Sequence, residues 1–194
     1  MDPAVERNQA TYRLLLEALS RPGRVVRLDH LAMLSPLAST AALLECLLDH
    51  EVSVCLLPGR EEVPEALRAA VATTGARLVP VDRADFVVVA GGDSGGGLAQ
   101  ARRGTHEYPD EGATLVYCLH QAAGPSSDRF RVRLEGPGIA GPGGQAPGMG
   151  GLPIEELRTL SAVNADYPLG VDVFFVRPSG EVMGIPRSTR IQVR

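Results

Sequence analysis

The stretch FVVVA at residues 86–90 is the feature that most constrains the fold of this chain. All five residues are apolar, and the three valines are β-branched and favour an extended backbone. A strand that is apolar throughout is typically buried on both faces, at the centre of a sheet covered by helices. The stretch therefore predicts an α/β fold with this strand in a central position.

Helical and extended patterns alternate along the rest of the chain. Tyr12, Leu15, Leu16 and Leu19 have the i, i+3, i+4, i+7 spacing of one buried helical face, and the helix ends at the sequence SRPG of residues 20–23. Further helices are predicted around residues 35–48, where Ser35 precedes Pro36 as a cap, 63–75, where Gly75 ends the helix, and 157–160. Strands are predicted at residues 25–28, 52–57, 78–81, 86–90, 113–119 and 130–135, and as a hairpin at 171–176 and 182–185.

These patterns predict one domain over residues 1–194, of the α/β class, with a mixed β-sheet flanked by helices. Residues 136–153 are the exception, since 12 of these 18 residues are glycine or proline. That composition predicts a surface loop without a regular element.

Composition excludes several kinds of chemistry. The 19 basic residues are all arginine and stand against 23 acidic residues, so the net charge is −4, which argues against nucleic acid as a partner. Without lysine the chain has no side-chain amine to form a Schiff base with pyridoxal phosphate (PLP). The three cysteines lack the spacing of a metal site or a disulfide framework. We therefore predict neither a cofactor nor a metal.

The location of the protein is predicted from the absence of targeting signals. The N-terminus has no apolar run that would indicate a signal peptide. The longest apolar runs are far shorter than a membrane span. We expect a soluble cytoplasmic protein that does not interact with membranes.

The sequence GDSGG at residues 92–96 matches the loop that carries the nucleophile of chymotrypsin-like serine proteases. Such a site needs a histidine base and an orienting carboxylate, and His50 and Asp82 precede Ser94 in the appropriate order. The chain before Ser94 is too short for the first barrel and most of the second barrel of such a protease. We interpret the stretch as a glycine-rich turn after a buried strand.

Five segments carry a resemblance to a known family. They are YRLLLEALSRPG at residues 12–23, EGATL at 111–115, LEGPGI at 134–139, PLGVD at 168–172 and IPRST at 185–189. In this order and spacing they resemble the PhnH family of the bacterial carbon–phosphorus lyase system, over nearly the whole chain.

The resemblance implies a fold similar to the large domain of PLP-dependent transferases, without the PLP site, and a homodimer. It implies that the chain joins PhnG, PhnI and PhnJ in a core complex. It also implies that the chain is needed, with PhnG, PhnI and PhnL, to transfer a phosphonate to the ribose of ATP with release of adenine. Because the adenine-releasing chemistry is usually assigned to PhnI, the implied role is that of an accessory subunit of this ribose 1-methylphosphonate 5-triphosphate synthase.

Asp172, Arg187, Ser188 and Thr189 are the candidate site residues. The guanidinium of Arg187 and the two hydroxyls suit a phosphate or an acidic group of a partner, and Asp172 would position Arg187 through a charge-assisted bond. The same residues also fit a structural turn and ion pair that hold the C-terminal hairpin, and we favour this second interpretation. We predict no catalytic residue in this chain.

Two other functions stay open. The chain can be an independent phosphotransferase, or an enzyme acting on nucleoside polyphosphates, that uses the region of Arg187. It can also be a module that binds a phosphonate or a nucleotide.

Overall fold

The computed structural model of the protein describes residues 3–28, 35–59, 62–119, 132–139, 144–145 and 152–193. The helices are α1 Pro3–Ser20, α2 Ala38–Leu47, α3 Glu65–Thr74, α4 Gly97–Gln100 and α5 Ile154–Val163. The strands are β1 Val25–Arg27, β2 Ser53–Pro58, β3 Arg77–Leu78, β4 Phe86–Ala90, β5 Thr114–Cys118, β6 Val132–Glu135, β7 Gly144–Gln145, β8 Asp172–Val176, β9 Glu181–Ile185 and β10 Arg190–Val193.

Seven strands form one mixed sheet in the order β1-β9-β8-β5-β4-β2-β3. β4 pairs in parallel with β2 on one side and with β5 on the other, and β8 continues the parallel part next to β5. β9 is antiparallel to β8, and β1 is antiparallel to β9. The prediction of an α/β fold with a mixed sheet and a central strand at residues 86–90 is confirmed.

Helices cover both faces of this sheet. Val88 points into a core with Leu15 of α1, Leu44 of α2 and Leu67 of α3. Its neighbours in β4 point to the other face, where they pack with side chains of α4 and α5, among them Leu98 and Leu157. The alternation of a fully apolar strand between two cores explains why every residue of β4 is apolar.

The face of α1 that contacts the sheet agrees only in part with the predicted one, since Leu15 and Leu19 belong to or pack against the core. Leu15 and Ala18 are buried, whereas Tyr12 and Leu16 are 48% and 50% exposed. The reason lies in β9, on which α1 packs. A Cβ on Gly184 would lie 2.8 Å from the carbonyl carbon of Ala18, so the helix backbone approaches the strand at this alanine and turns Tyr12 outward.

A second sheet of three strands, in the order β10-β6-β7, was not predicted. Its apolar face, which includes Leu134 and Ile191, packs in the same core as α5. β7 falls within residues 136–153, so the prediction that this tract holds no regular element is wrong at Gly144–Gln145. Backbone pairing needs no side chain, and even glycine can therefore extend a sheet. The tract at 140–143 and 146–151 and the predicted strand residues 130–131 lie outside the described residues.

Several predicted boundaries shift, while Gly75 ends α3 in the left-handed conformation (φ 78°), as predicted. α2 begins at Ala38 with Leu37 at its N-cap, so the prediction that Ser35 caps this helix is wrong. The Ser35 hydroxyl instead accepts a bond from the Leu37 N–H in a turn before the helix. The predicted strand at 78–81 is instead the end of β3 followed by a 3-10 turn at Val81–Arg83. No helix among the described residues is both long and apolar enough to cross a membrane.

Asp85 connects the amino ends of β2 and β4. Its carboxylate accepts bonds from the backbone N–H and the hydroxyl of Ser53, at 2.8 and 2.6 Å, and from the guanidinium of Arg102. Partial burial raises the pKa of Asp85, but these hydrogen bonds and the charge of Arg102 outweigh it, so its pKa lies below the ordinary value. The carboxylate therefore stabilises the fold in its ionised form.

Candidate functional site

Asp172 and Arg187 form the most extensively bonded ion pair in the described part of the chain. The β8–β9 hairpin brings them together, since Asp172 begins β8 and Arg187 follows β9 by two residues. The Arg187 backbone N–H donates to Asp172 Oδ1 at 2.8 Å, and its guanidinium donates to Oδ2 at 2.6 Å through Nη2 and at 3.2 Å through Nε. The two side chains are only 15% and 23% exposed.

Arg187 also binds the loop before β5. Nη2 donates to the carbonyl of Gly112 at 3.3 Å, and Nη1 donates to the carbonyl of Pro109. A guanidinium has five N–H groups, and most of those of Arg187 are therefore used within the chain. The structure thus places Asp172 and Arg187 in the ion pair that the sequence suggested as the structural alternative.

A glycine contact brings the first and third family-like segments together. A Cβ on Gly138, which has φ +79°, would lie 2.0 Å from the carbonyl oxygen of Ser20. Only glycine permits this approach of the turn after β6 to the end of α1. The segment at 134–139 in turn pairs with β10, where Glu135 lies opposite Arg190.

Ser188 and Thr189 line a groove of about 720 Å³ beside β10, together with the turn after β6, the end of α5 and the Tyr167 side chain. Thr189 is 2% exposed, and its hydroxyl has no hydrogen-bond partner in the described part of the chain. Arg190 also lines the groove, is exposed and takes part in none of the ion pairs that the described residues form. Arg190 was not among the site residues predicted from the sequence, although it directly follows Thr189.

A second polar cluster lies at the carboxyl ends of β4 and β5. Tyr117 donates to Oε1 of the buried Glu156 at 2.5 Å, and the backbone N–H of Ser94 donates to the same oxygen at 3.1 Å. The Ser94 hydroxyl accepts a bond from the Leu98 N–H at 3.1 Å. Ser94 is thus a buried turn residue in the glycine-rich loop.

The Tyr117 phenol is protonated in this cluster. Burial raises its pKa well above the ordinary value, and the negative charge of Glu156 raises it further. The sequence carried no signal for this pair, because 39 residues separate its members. No group of three or more histidine, cysteine, aspartate or glutamate side chains in the described ranges is arranged to hold a metal ion.

Comparison with known proteins identifies the family. The profile of the family described as bacterial phosphonate metabolism protein (PhnH) matches residues 1–192. The chain belongs to the PhnH family. It is 35% identical over 97% of its length to a protein of Stutzerimonas stutzeri that is provisionally named C-P lyase subunit protein HtxG, of which it covers 87%. It is 31% identical over 98% of its length to the alpha-D-ribose 1-methylphosphonate 5-triphosphate synthase subunit PhnH of Rhizobium meliloti (strain 1021), of which it covers 92%.

The segments that resemble the PhnH family meet in one region of this structure. Arg187 joins the segments at 111–115, 168–172 and 185–189 through its bonds to Gly112 and Asp172. Pairing of β6 with β10 adds the segment at 134–139, and Gly138 connects it to the segment that ends α1. The predicted site residues Asp172, Arg187, Ser188 and Thr189 therefore lie where these five segments meet, next to the groove.

Proposed function

We propose that this chain is an accessory, non-catalytic subunit of the carbon–phosphorus lyase system for phosphonate catabolism. The observation that carries the proposal is the match to the PhnH family over residues 1–192. Two relatives named as subunits of such assemblies support it, because the chain covers 87% and 92% of their lengths. ATP is a cytoplasmic nucleotide, and the proposal accordingly assigns the protein to the cytoplasm.

The proposed reaction is the transfer of a phosphonate to the ribose of ATP with release of adenine, for which the chain is needed with PhnG, PhnI and PhnL. The chain would join PhnG, PhnI and PhnJ in the core complex. Release of adenine requires an acid that protonates the leaving base and cations that hold the triphosphate. The arrangement of Arg187 supports an accessory role, because this arginine forms an ion pair with Asp172 and donates to backbone carbonyls. Its guanidinium is therefore not available to hold the triphosphate.

An adenine-release assay tests this proposal. ATP, magnesium and methylphosphonate are incubated with this chain alone, with the partner subunits alone and with all subunits together. We expect adenine only from the complete mixture. Adenine released by this chain alone would contradict the accessory role, and an unchanged rate from the partners alone would contradict the requirement for this chain.

We also propose that the chain forms a homodimer through the exposed face of α1. Val5, Tyr12 and Leu16 share one helical face and are 55%, 48% and 50% exposed. Exposed apolar side chains in one patch indicate an interaction surface, and two-fold pairing of the same patch is the commonest way to bury it.

Light scattering of the purified protein tests the dimer. We expect a dimer at about 50 µM and a monomer for Leu16→Glu, because the variant places a charge in the patch. Leu78→Glu is the matched control, since Leu78 is 68% exposed at the edge of the sheet and away from α1. A monomeric wild type, or equal effects of the two variants, would contradict this interface.

We further propose that the fold is related to the large domain of PLP-dependent transferases, without their cofactor chemistry. Parallel strands with an antiparallel neighbour and helices on both faces support this relation. The sequence contains no lysine, so no side-chain amine can form an aldimine with pyridoxal phosphate. Borohydride trapping after incubation with pyridoxal phosphate is expected to label no internal residue, and a stoichiometric internal label would contradict the proposal.

A further inference from the structure

We propose that the groove beside β10 binds the phosphate or phosphonate group of a small molecule, with Arg190 as its cation and the hydroxyls of Ser188 and Thr189 as hydrogen-bonding groups. The proposal rests on the proposed function for the choice of ligands to test. The site itself is inferred from the size of the groove, its charges and its unused polar groups.

The groove has the volume of a small-molecule site. It measures about 720 Å³, and ligand pockets generally measure about 300–1,000 Å³. Its walls come from β10, from the turn at Gly136 and Pro137, and from the end of α5. These walls are positioned by the pairing of β10 with β6 and by the bond from the Ser161 hydroxyl to the carbonyl of Ile191 at 3.0 Å. The backbone that carries the polar groups of the groove is therefore held in place by these hydrogen bonds.

Arg190 supplies the positive charge of the groove. The charge of Arg187 is compensated by Asp172 at 2.6 Å. Glu135 lies directly opposite Arg190 in the sheet, but its carboxylate forms an ion pair with Arg133 at 3.1 Å and accepts a bond from Gln192 at 3.4 Å. The Arg133–Glu135 contact has the distance of an ion pair without the alignment of a hydrogen bond. Arg190 thus remains available for an anion, for which the guanidinium geometry is well suited.

Two hydroxyls next to Arg190 have unused hydrogen-bonding capacity. Thr189 is 2% exposed, and its hydroxyl has no partner among the described residues. Leaving a buried hydroxyl unpaired is unfavourable, so the unpaired group requires an explanation, and a bound ligand that supplies the missing bond is one. Ser188 is half-buried at the same wall, and none of the hydrogen bonds formed by the described side chains uses its hydroxyl. A phosphate or phosphonate oxygen would provide acceptors for both groups.

Tyr167 favours ligands that carry an aromatic base as well as a phosphate group. Tyr167 lines the groove and is 65% exposed, so that its ring is accessible to a ligand in the groove. Stacking of an aromatic base on this ring adds to the binding of the anionic group. We therefore expect ATP to bind more tightly than ribose 5-phosphate, methylphosphonate or inorganic phosphate, and we expect Tyr167→Ala to remove this advantage.

Titration calorimetry with the full-length chain tests the site against these four compounds. We expect saturable binding of ATP, and we expect Arg190→Gln to weaken it about tenfold or more because the variant loses the charged fork. Arg68→Gln is the matched control: Arg68 is exposed on α3, on the opposite face of the main sheet, and the variant changes the net charge equally. We expect this control to bind ATP as the wild type does.

Thr189→Val separates binding from folding. The variant keeps the shape of the side chain and removes the unpaired hydroxyl, so we expect a higher melting temperature together with weaker ATP binding. A purely structural threonine would not lose binding while gaining stability. Unchanged ATP affinity in this variant would remove Thr189 from the proposed site.

Two outcomes would overturn the site. One is the absence of saturable binding of all four compounds at millimolar concentration, and the other is an equal loss of affinity in Arg190→Gln and Arg68→Gln. The proposed function is tested separately, because calorimetry needs no partner subunit. If the complete mixture requires this chain for adenine release but the chain binds none of the compounds, the site fails and the accessory function stands. If the chain binds ATP through Arg190 but the mixture does not require it, the function fails and the site stands.

Discussion

Replacing Arg187 with alanine is the sharpest test of how the C-terminal hairpin is held. The substitution removes the guanidinium that contacts Asp172 and the carbonyls of Pro109 and Gly112. Asp172 then keeps its bond from the backbone N–H of residue 187 but loses its counter-ion. Because both side chains are largely buried, the loss leaves a poorly solvated carboxylate.

The expected cost follows from this burial. Removing one partner of a fully buried ion pair costs about 3–5 kcal/mol. Water reaches 15% of the Arg187 side chain and 23% of the Asp172 side chain, so we expect a somewhat smaller loss of about 2–4 kcal/mol. With a urea m-value of about 2 kcal/mol per M for a chain of this size, the unfolding midpoint falls by about 1–2 M.

Urea unfolding followed by circular dichroism measures this shift, with Arg158→Ala as the control. The Arg158–Glu155 pair is as short, at 2.6 Å, but its side chains are 60% and 72% exposed. We expect the control to lose no more than about 0.5 kcal/mol. The two variants remove the same atoms and the same charge, so their difference reports burial and the additional bonds.

Two results would contradict a stabilising role of the buried ion pair. A loss below about 1 kcal/mol for Arg187→Ala, or an equal loss in both variants, would show that the buried pair does not hold the hairpin. Arg187→Lys keeps the charge but cannot form the fork, and we expect it to recover less than half of the lost stability. Full recovery by lysine would show that charge alone matters.

Three further predictions concern other parts of the fold. Gly138→Ala should lose about 2 kcal/mol or more in urea unfolding, because its Cβ would meet the carbonyl of Ser20 at 2.0 Å; a loss near zero would mean that the turn can move aside. Because the pKa of Asp85 is lowered in the folded state, its contribution to stability is present above about pH 4 and is lost as the pH falls through the folded-state pKa. Asp85→Asn should therefore reduce the loss of stability at acid pH. An unchanged dependence of stability on pH would contradict this role of the Asp85 carboxylate. The raised pKa of Tyr117 predicts that the free energy of unfolding of the wild type falls above about pH 10, where the phenol ionises first in the unfolded chain. Tyr117→Phe should lack this fall but lose about 1–3 kcal/mol at pH 7, because Glu156 loses a hydrogen bond. Retention of the alkaline fall in the variant would contradict this prediction.

The central layer of the fold was predictable from local sequence. Residues 86–90 are a strand with cores on both sides because five consecutive apolar residues can be buried only in such a place. Gly75 ends α3 because it adopts a left-handed conformation that side chains disfavour, and this preference belongs to the residue itself. The β8–β9 hairpin is predictable for the same reason, since its two apolar runs flank a short turn.

The orientation of α1 was only partly predictable from periodicity, which placed Leu15 and Leu19 correctly but not Tyr12 and Leu16. Two overlapping stripes of the helix are apolar, one with Tyr12 and Leu16 and the other with Leu15 and Ala18. Their spacing is equally helical, and hydrophobicity alone favours the larger residues. The close approach of Gly184 to Ala18 selects the second stripe, and this contact joins residues that are far apart in the chain.

In the candidate site, too, some features were predictable from local sequence and others depend on long-range contacts. The residue types of Asp172, Arg187, Ser188 and Thr189 were sufficient to suggest an ion pair or an anion site in the C-terminal region. The hydrogen-bond partners of the Arg187 guanidinium were not predictable from the sequence, since the carbonyls of Pro109 and Gly112 come from a loop more than 70 residues away. The tertiary structure also left Arg190 unpaired among the described residues, because Glu135 binds Arg133 along its own strand instead of the arginine opposite. Local preferences act within a few residues, whereas the distribution of charge in a groove depends on which strands the fold brings together.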